Sequence, residues 1–241
     1  MLAHRGLALT APENTLAAFA HAVAVGVTHI ETDVHASRDG IAVISHDAQL
    51  DRVAGRPGAV SALDARRLGQ LDLGGGHGMP TLAEALDAFP EARFNIDIKT
   101  ASAIAPTVEV VRRARAEHRV LLASFSERRR ASAVRALPGV ATSISGPRFA
   151  AALLAARVGL QPAVRAAVRG MHAVQIPERA LGLQTTAPPI LRAFHRAGVE
   201  VHVWTVNDPA RMRSLLQDGV DGIVTDRADL AVAVLRTLAR D

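Results

Sequence analysis

The chain has 241 residues and a formal net charge of +5, with 49% hydrophobic and only 3% aromatic residues. The hydrophobic share excludes a disordered chain, and so few aromatics leave little for base stacking, so no nucleic-acid partner is expected despite the basic balance. Cysteine is absent, which excludes disulfides and thiolate metal sites and leaves oxygen and nitrogen as the only ligands for a metal.

The N-terminus shows no basic-then-apolar leader, and no run of ~18 apolar residues is present, so a soluble, cytoplasmic protein without stable membrane insertion is expected. A residual first strand at residues 1–3 precedes His4, and a helix over 14–26 stops at a glycine. Strands follow over 28–35 and, after the Asp39-Gly40 turn, over 41–45. Residues 48–79 read as a small insertion of short helices and loops within one domain spanning 1–241. Helix 81–89, strand 93–99, helix 103–118, strand 119–124, helix 126–137, strand 140–144 and helix 147–159 come next. Strand 172–177, helix 188–198, strand 200–206, helix 208–219, strand 221–226 and helix 228–240 complete the chain. The arginine run at 128–130 reads as a solvated helix face.

This alternation predicts an α/β fold with a parallel sheet and helical crossovers. About eight βα units suit a (β/α)8 barrel with a short insertion after the second strand region. A doubly wound open sheet is the alternative. It lacks support because the glycine run in "LGGGHG" (73–78) follows a turn-rich stretch rather than a strand and leads to Pro80.

Side-chain alternation then locates the chemistry. Residues two apart in a strand share a face. In "HIETDVH" the apolar Ile30 and Val34 face the helices, which sends Glu31 and Asp33 into the barrel. In "FNIDIK" Phe94, Ile96 and Ile98 face the helices, and Asn95, Asp97 and Lys99 point inward. Three inward acids repel one another unless a proton or a cation lies among them. Either a hard divalent cation, Mg²⁺ or Ca²⁺, or ion pairing with arginines such as Arg5 meets that need. Lys99 is the only lysine among 28 basic residues. A compact, rotatable ammonium does what a planar guanidinium cannot in a crowded anionic site. His4 and His46 stand where strands run out at the C-terminal face, where barrel active sites form, and two histidines can divide acid and base roles near neutral pH.

The motifs "HRG" (4–6), "PENT" (12–15), "ETDVHASRDG" (31–40), "SHD" (45–47), "LDR" (50–52), "MPTLAEAL" (79–86), "NIDIK" (95–99), "WTVN" (204–207) and "GVDGIVTD" (219–226) together resemble the glycerophosphodiester phosphodiesterase family. The resemblance implies a TIM barrel that hydrolyses glycerophosphodiesters to glycerol 3-phosphate and an alcohol with a divalent metal. It implies His4 and His46 as the acid/base pair, and Glu31, Asp33 and Asp97 as metal ligands. Arg5 and Lys99 then contact the phosphate, Asn14 supports the site, and Trp204 covers the substrate at the barrel mouth or, alternatively, packs in the core. Family members often carry glutamate where Asp97 stands, and more residues before the "HRG" motif. A start three residues ahead of His4 implies either a mis-set start or a frayed first strand, which would loosen His4. A lysophospholipase D-like enzyme of the same superfamily and a non-catalytic phosphodiester-binding barrel are the alternative functions. A Schiff-base aldolase built on Lys99 is disfavoured, because neighbouring carboxylates raise a lysine pKa rather than lower it.

Overall fold

The computed structural model describes residues 1–239. Its strands are β1 (Leu2–His4), β2 (His29–Ala36), β3 (Ala42–Ile44), β4 (Arg93–Ile98), β5 (Val120–Ala123), β6 (Ala141–Thr142), β7 (Ala173–Pro177), β8 (Arg179–Ala180), β9 (Leu183–Gln184), β10 (Glu200–Trp204) and β11 (Gly222–Thr225). The first helices in chain order are α1 (Leu16–Ala24), α2 (Asp51–Ala54), α3 (Ala65–Gly69), α4 (Leu82–Ala88), α5 (Ile104–Arg113) and α6 (Glu127–Ala136). They are followed by α7 (Gly146–Arg157), α8 (Gln161–Ala167), α9 (Pro188–Arg196), α10 (Pro209–Gln217) and α11 (Ala228–Leu238). The end of the last predicted helix, at residue 240, lies outside the described residues.

Eight strands pair in parallel in the order β6-β5-β4-β2-β1-β11-β10-β7. A parallel bridge between Ser143 and Ala173 brings the two ends of that series together, so the barrel nearly closes. An open doubly wound sheet is thereby ruled out. The remaining strands are accessory: β3 runs antiparallel to the end of β2, and β8 and β9 form a hairpin after β7. The short first strand is held on both sides, by β2 and by β11, with Leu2 and Ala3 buried. The expected fraying of β1 is therefore absent, because a three-residue strand between two partners has all its ladder bonds available.

The helix-facing residues behave as the alternation predicts. Ile30, Val34, Phe94, Ile96 and Ile98 pack with Phe19, Leu86 and Val111 from the surrounding helices. Each such buried side chain contributes roughly 1.5–3 kcal/mol of transfer free energy. Local signals set the helix starts: Thr15 caps α1 through the Ala18 amide, and Thr81 and Glu84 form a reciprocal capping box on α4. Residues 48–79 carry only short helices, held by a small core of Leu50, Val60, Leu68 and Met79. The arginine run corrects the sequence reading. Arg130 is buried and pairs with Glu127, and Arg129 donates to Ser124 Oγ, leaving Arg128 as the exposed member. Arginine's long stem and fork let it reach a carboxylate from the buried side of α6.

Candidate active site

All the residues expected at the site except Asn14 line one cavity of about 370 Å³ at the C-terminal ends of the strands, and Asn14 supports it from behind. His4 ends β1, Glu31 and Asp33 project from β2, His46 follows β3, Asp97 projects from β4, and Lys99 lies just past β4. The register of β2 on β4 sets Asp33 directly beside Asp97. That pairing is unfavourable for two carboxylates unless positive charge joins them. Lys99 supplies it: its Nζ lies 2.8 Å from Asp33 Oδ1 and 2.7 Å from Asp97 Oδ2. Arg5 adds a second cation, with Nε 3.4 Å from Asp33 Oδ2 and one terminal nitrogen 3.0 Å from Glu13.

Backbone conformation places these groups. Arg5 and Asn14 both adopt left-handed backbone, at φ 56° and 58°, which costs about 1 kcal/mol or more for a non-glycine residue and is found where function requires it. The turn is locked by Arg5 N donating to Glu31 O, Asn14 N to Arg5 O and Leu7 N to Ala18 O. Gly6 is needed here, because at φ +88° a Cβ would stand 2.7 Å from the Ala18 backbone. Asn14 Nδ2 donates to Asp33 Oδ2 at 3.1 Å and its Oδ1 accepts from Thr32, so Asn14 braces the Asp33 carboxylate.

Charge is unevenly compensated. Burial pushes the Glu31 carboxyl well above the usual range, and the neighbouring Asp33 and Asp97 push it further. Burial acts in the same direction on Asp33, but Lys99 and Arg5 outweigh it and hold that carboxyl below its ordinary value. Burial also disfavours the Lys99 ammonium, and Asp33 and Asp97 more than offset it. One oxygen of Asp97, Oδ1, is buried without a hydrogen-bond partner.

Several further residues complete the site. His4 Nδ1 lies 2.6 Å from Asp226 Oδ1, and Asn207 Nδ2 donates to the other Asp226 oxygen at 2.8 Å. His46 Nδ1 lies 2.7 Å from Asp47 Oδ1, and His35 Nε2 lies 3.2 Å from the His46 carbonyl. Arg52, from α2 in the insertion, bridges Asp47 and Glu13 and so links His46 to Arg5. The Arg52 guanidinium holds the Asp47 carboxyl at about 2. Glu13, Asp47, Arg52, Asn207 and Asp226 all stand inside the motifs quoted above, yet spacing alone assigns them no task. Opposite the charged half lies a wall of Ile144, Phe149, Pro177 and Trp204, with Phe125 61% exposed at the rim. Trp204 meets Phe125 edge to face at 6.2 Å, so it belongs to the mouth of the cavity and not to the core.

Among the described residues no helix is long and apolar enough to cross a membrane. Comparison with known proteins agrees with the site. The model of the glycerophosphoryl diester phosphodiesterase family matches residues 4–230. A Mycobacterium tuberculosis protein named "Probable glycerophosphodiester phosphodiesterase 2" is 47% identical over 97% of this chain and 89% of its own length. The crystal structure of a glycerophosphodiester phosphodiesterase from Agrobacterium tumefaciens superposes with a TM-score of 0.81 at 28% identity, covering 98% of both chains. An Oleispira antarctica phosphodiesterase in complex with the product sn-glycerol-3-phosphate superposes with a TM-score of 0.82 at 26% identity, over 98% of this chain and 96% of that one. With residues from six of its motifs lining one barrel mouth and the family model spanning nearly its whole length, the chain belongs to the glycerophosphoryl diester phosphodiesterase family.

Proposed function

We propose that this chain hydrolyses glycerophosphodiesters to glycerol 3-phosphate and an alcohol, with His4 and His46 dividing proton transfer and with a divalent cation, Mg²⁺ or Ca²⁺, held by Glu31, Asp33 and Asp97. The observation that carries the reading is the convergence of two histidines, two cations and three carboxylates on one cavity. Family membership supplies the reaction class.

The fit of a cation rests on this chain's donors. Three carboxylates offer hard oxygen ligands, Asp97 Oδ1 has no partner, and Glu31 is held toward its protonated form by burial first and by Asp33 and Asp97 next. Both features mark a cluster short of positive charge. Among the described residues no three such side chains stand in a ready metal-binding arrangement, and the Lys99 ammonium lies between Asp33 and Asp97. A cation held there would compete with Lys99 for Asp33 Oδ1 and Asp97 Oδ2, the two oxygens its ammonium now contacts. A bound cation would polarise the phosphoryl oxygens and favour charge build-up there.

The rest is done by the chain itself. Arg5 and Lys99 attract the phosphodiester and oppose the charge that grows on it in the transition state. One histidine takes a proton from the attacking oxygen and the other gives one to the departing alkoxide. The apolar wall opposite favours a second reading, a lysophospholipase D-like activity in which that wall receives an acyl chain.

The experiment is release of glycerol 3-phosphate from glycerophosphocholine by metal-stripped protein, with EDTA, Mg²⁺, Ca²⁺ or Mn²⁺ added in turn, and lysophosphatidylcholine run in parallel. Metal-dependent release from glycerophosphocholine is expected. Turnover of the lysolipid alone would favour the second reading. Substrate binding without turnover by folded protein would make the chain a binding barrel.

A further inference from the structure

We propose that Asp226 is a positioning residue for His4, fixing the imidazole in the tautomer that carries its proton on Nδ1 and so turning the lone pair of Nε2 toward the carboxylate cluster. The inference rests on the reading of His4 as a proton-transfer group.

Asp226 Oδ1 stands 2.6 Å from His4 Nδ1. An ionised carboxylate can only accept a hydrogen bond, so a contact this short requires the N–H at Nδ1. Ionisation is secured by that bond first, and by the Asn207 amide next, which together hold the carboxyl below its ordinary value. Neutral imidazole with its proton on Nδ1 has Nε2 as its only basic nitrogen. That nitrogen lies 4.0 Å from Glu31 Oε2, on the cavity side of the ring.

The carboxylate is itself held in place. Asn207 Nδ2 donates to Asp226 Oδ2 at 2.8 Å, while Asn207 Oδ1 accepts from the Asp226 amide at 2.9 Å and from Thr225 Oγ1 at 2.9 Å. Those bonds fix the orientation of the Asn207 amide, which fixes Asp226, which fixes His4. The end of "WTVN" and the end of "GVDGIVTD" thereby acquire a shared task.

The other histidine shows the same construction with different backing. His46 Nδ1 meets Asp47 Oδ1 at 2.7 Å, and Asp47 is backed by the Arg52 guanidinium. Finding a carboxylate on Nδ1 of both histidines, from unrelated parts of the chain, argues against a chance contact at either. It matches the general pattern in which a third group orients the base. His46 is braced additionally through its carbonyl by His35, whereas Asp226 is the side chain hydrogen-bonded to the His4 ring.

The test compares wild type, Asp226→Asn, Asp226→Glu and His4→Gln, each with ¹⁵N-labelled histidine. Long-range ¹⁵N–¹H spectra taken with the ring neutral report which nitrogen bears the proton, and His4→Gln identifies the His4 signals by their loss. The wild type is expected to show His4 protonated on Nδ1. In Asp226→Asn the Nδ1-protonated fraction falls, because an amide N–H can now donate to Nδ1. Turnover of glycerophosphocholine falls about 100-fold with KM changed less than about threefold, as for loss of a group that orients an active-site histidine. Asp226→Glu is expected to restore the tautomer and part of the turnover. Wild-type turnover in Asp226→Asn would overturn the proposal. So would a fall in turnover with the His4 tautomer unchanged, since the carboxylate would then act by another route. Wild-type turnover in His4→Gln would instead remove the acid/base reading of His4, and the spectra would still decide whether Asp226 sets the ring.

Discussion

Replacing Lys99 by Met removes the charge that joins Asp33 and Asp97 while keeping most of the side-chain volume. The ammonium makes contacts of 2.8 and 2.7 Å with carboxylates whose side chains are 3% and 10% exposed. At an effective dielectric constant near 20, each contact at this separation has a gross Coulomb energy of about 6 kcal/mol, most of it offset by the cost of taking the three charges out of water. Breaking such a buried pair by removing one partner costs about 3–5 kcal/mol, because it leaves charge without compensation. The pH dependence gives the sign. In the wild type Asp33 is held below its unfolded value, so its pairing stabilises the fold above pH ~4 and is lost as pH falls through the lowered folded value. In the variant Asp33, still buried but without its main cation, is expected to rise above its unfolded value, so that group then stabilises the fold in acid and the stability is lost as pH rises. Urea unfolding in EDTA checks this. With a slope of about 3 kcal/mol/M, a cost of about 3–5 kcal/mol puts the midpoint of Lys99→Met about 1–1.7 M below wild type at pH 8, with the gap at least halved at pH 5. A gap of equal size at both pH values, or none at pH 8, would refute the reasoning. Lys99→Arg tests the shape argument. A planar fork cannot place one compact charge between Asp33 Oδ1 and Asp97 Oδ2, and turnover should fall at least 100-fold. Wild-type turnover in that variant would remove the explanation for a lone lysine at this position.

The base of the barrel carries an acid-sensitive group. Burial first, then the N-terminal amine and Arg93, push His29 down to about 4. The fold therefore excludes a proton that the unfolded chain binds below 6.5, and stability is lost as pH falls from 6.5 toward 4. The full span is worth at most ~3 kcal/mol, and about half that for a ring partly open to solvent. His29→Gln should flatten the midpoint-versus-pH curve over that window in thermal melts. Gly6→Ala would drive a Cβ into the Ala18 backbone at 2.7 Å. About 2 kcal/mol or more of destabilisation should accompany a loss of turnover, read from urea unfolding and steady-state kinetics on the same sample. Arg52→Ala removes the bridge between Asp47 and Glu13. Its side chain is 51% exposed, so stability should change by under about 1 kcal/mol, while turnover falls about tenfold as His46 and Arg5 lose their common anchor. Unchanged kinetics in Arg52→Ala would leave the insertion without a part in the site.

Period and punctuation make much of this protein legible in its sequence. Two-residue alternation in "HIETDVH" and "FNIDIK" is enough to turn Glu31, Asp33, Asp97 and Lys99 inward, because the opposite positions are apolar and must meet the helices. Strand–helix alternation likewise implies parallel pairing. The short α8 and the β8–β9 hairpin leave no such mark, since seven residues and two residues are too few to show a period. Arg130 is illegible for a different reason: Glu127 is its i,i+3 neighbour on α6, but its burial depends on packing that brings Thr142 of β6 within reach, and no local pattern marks that. Register and closure belong to tertiary structure alone. That Asp33 lies beside Asp97, so that one lysine serves both, follows from how β2 slides on β4. That Asp226 reaches His4 across 222 residues follows from β1 lying between β2 and β11. Local sequence dictates which way a side chain points. Which distant side chain it meets is decided by the packing of the whole barrel, where buried area and backbone hydrogen bonds select one register among many.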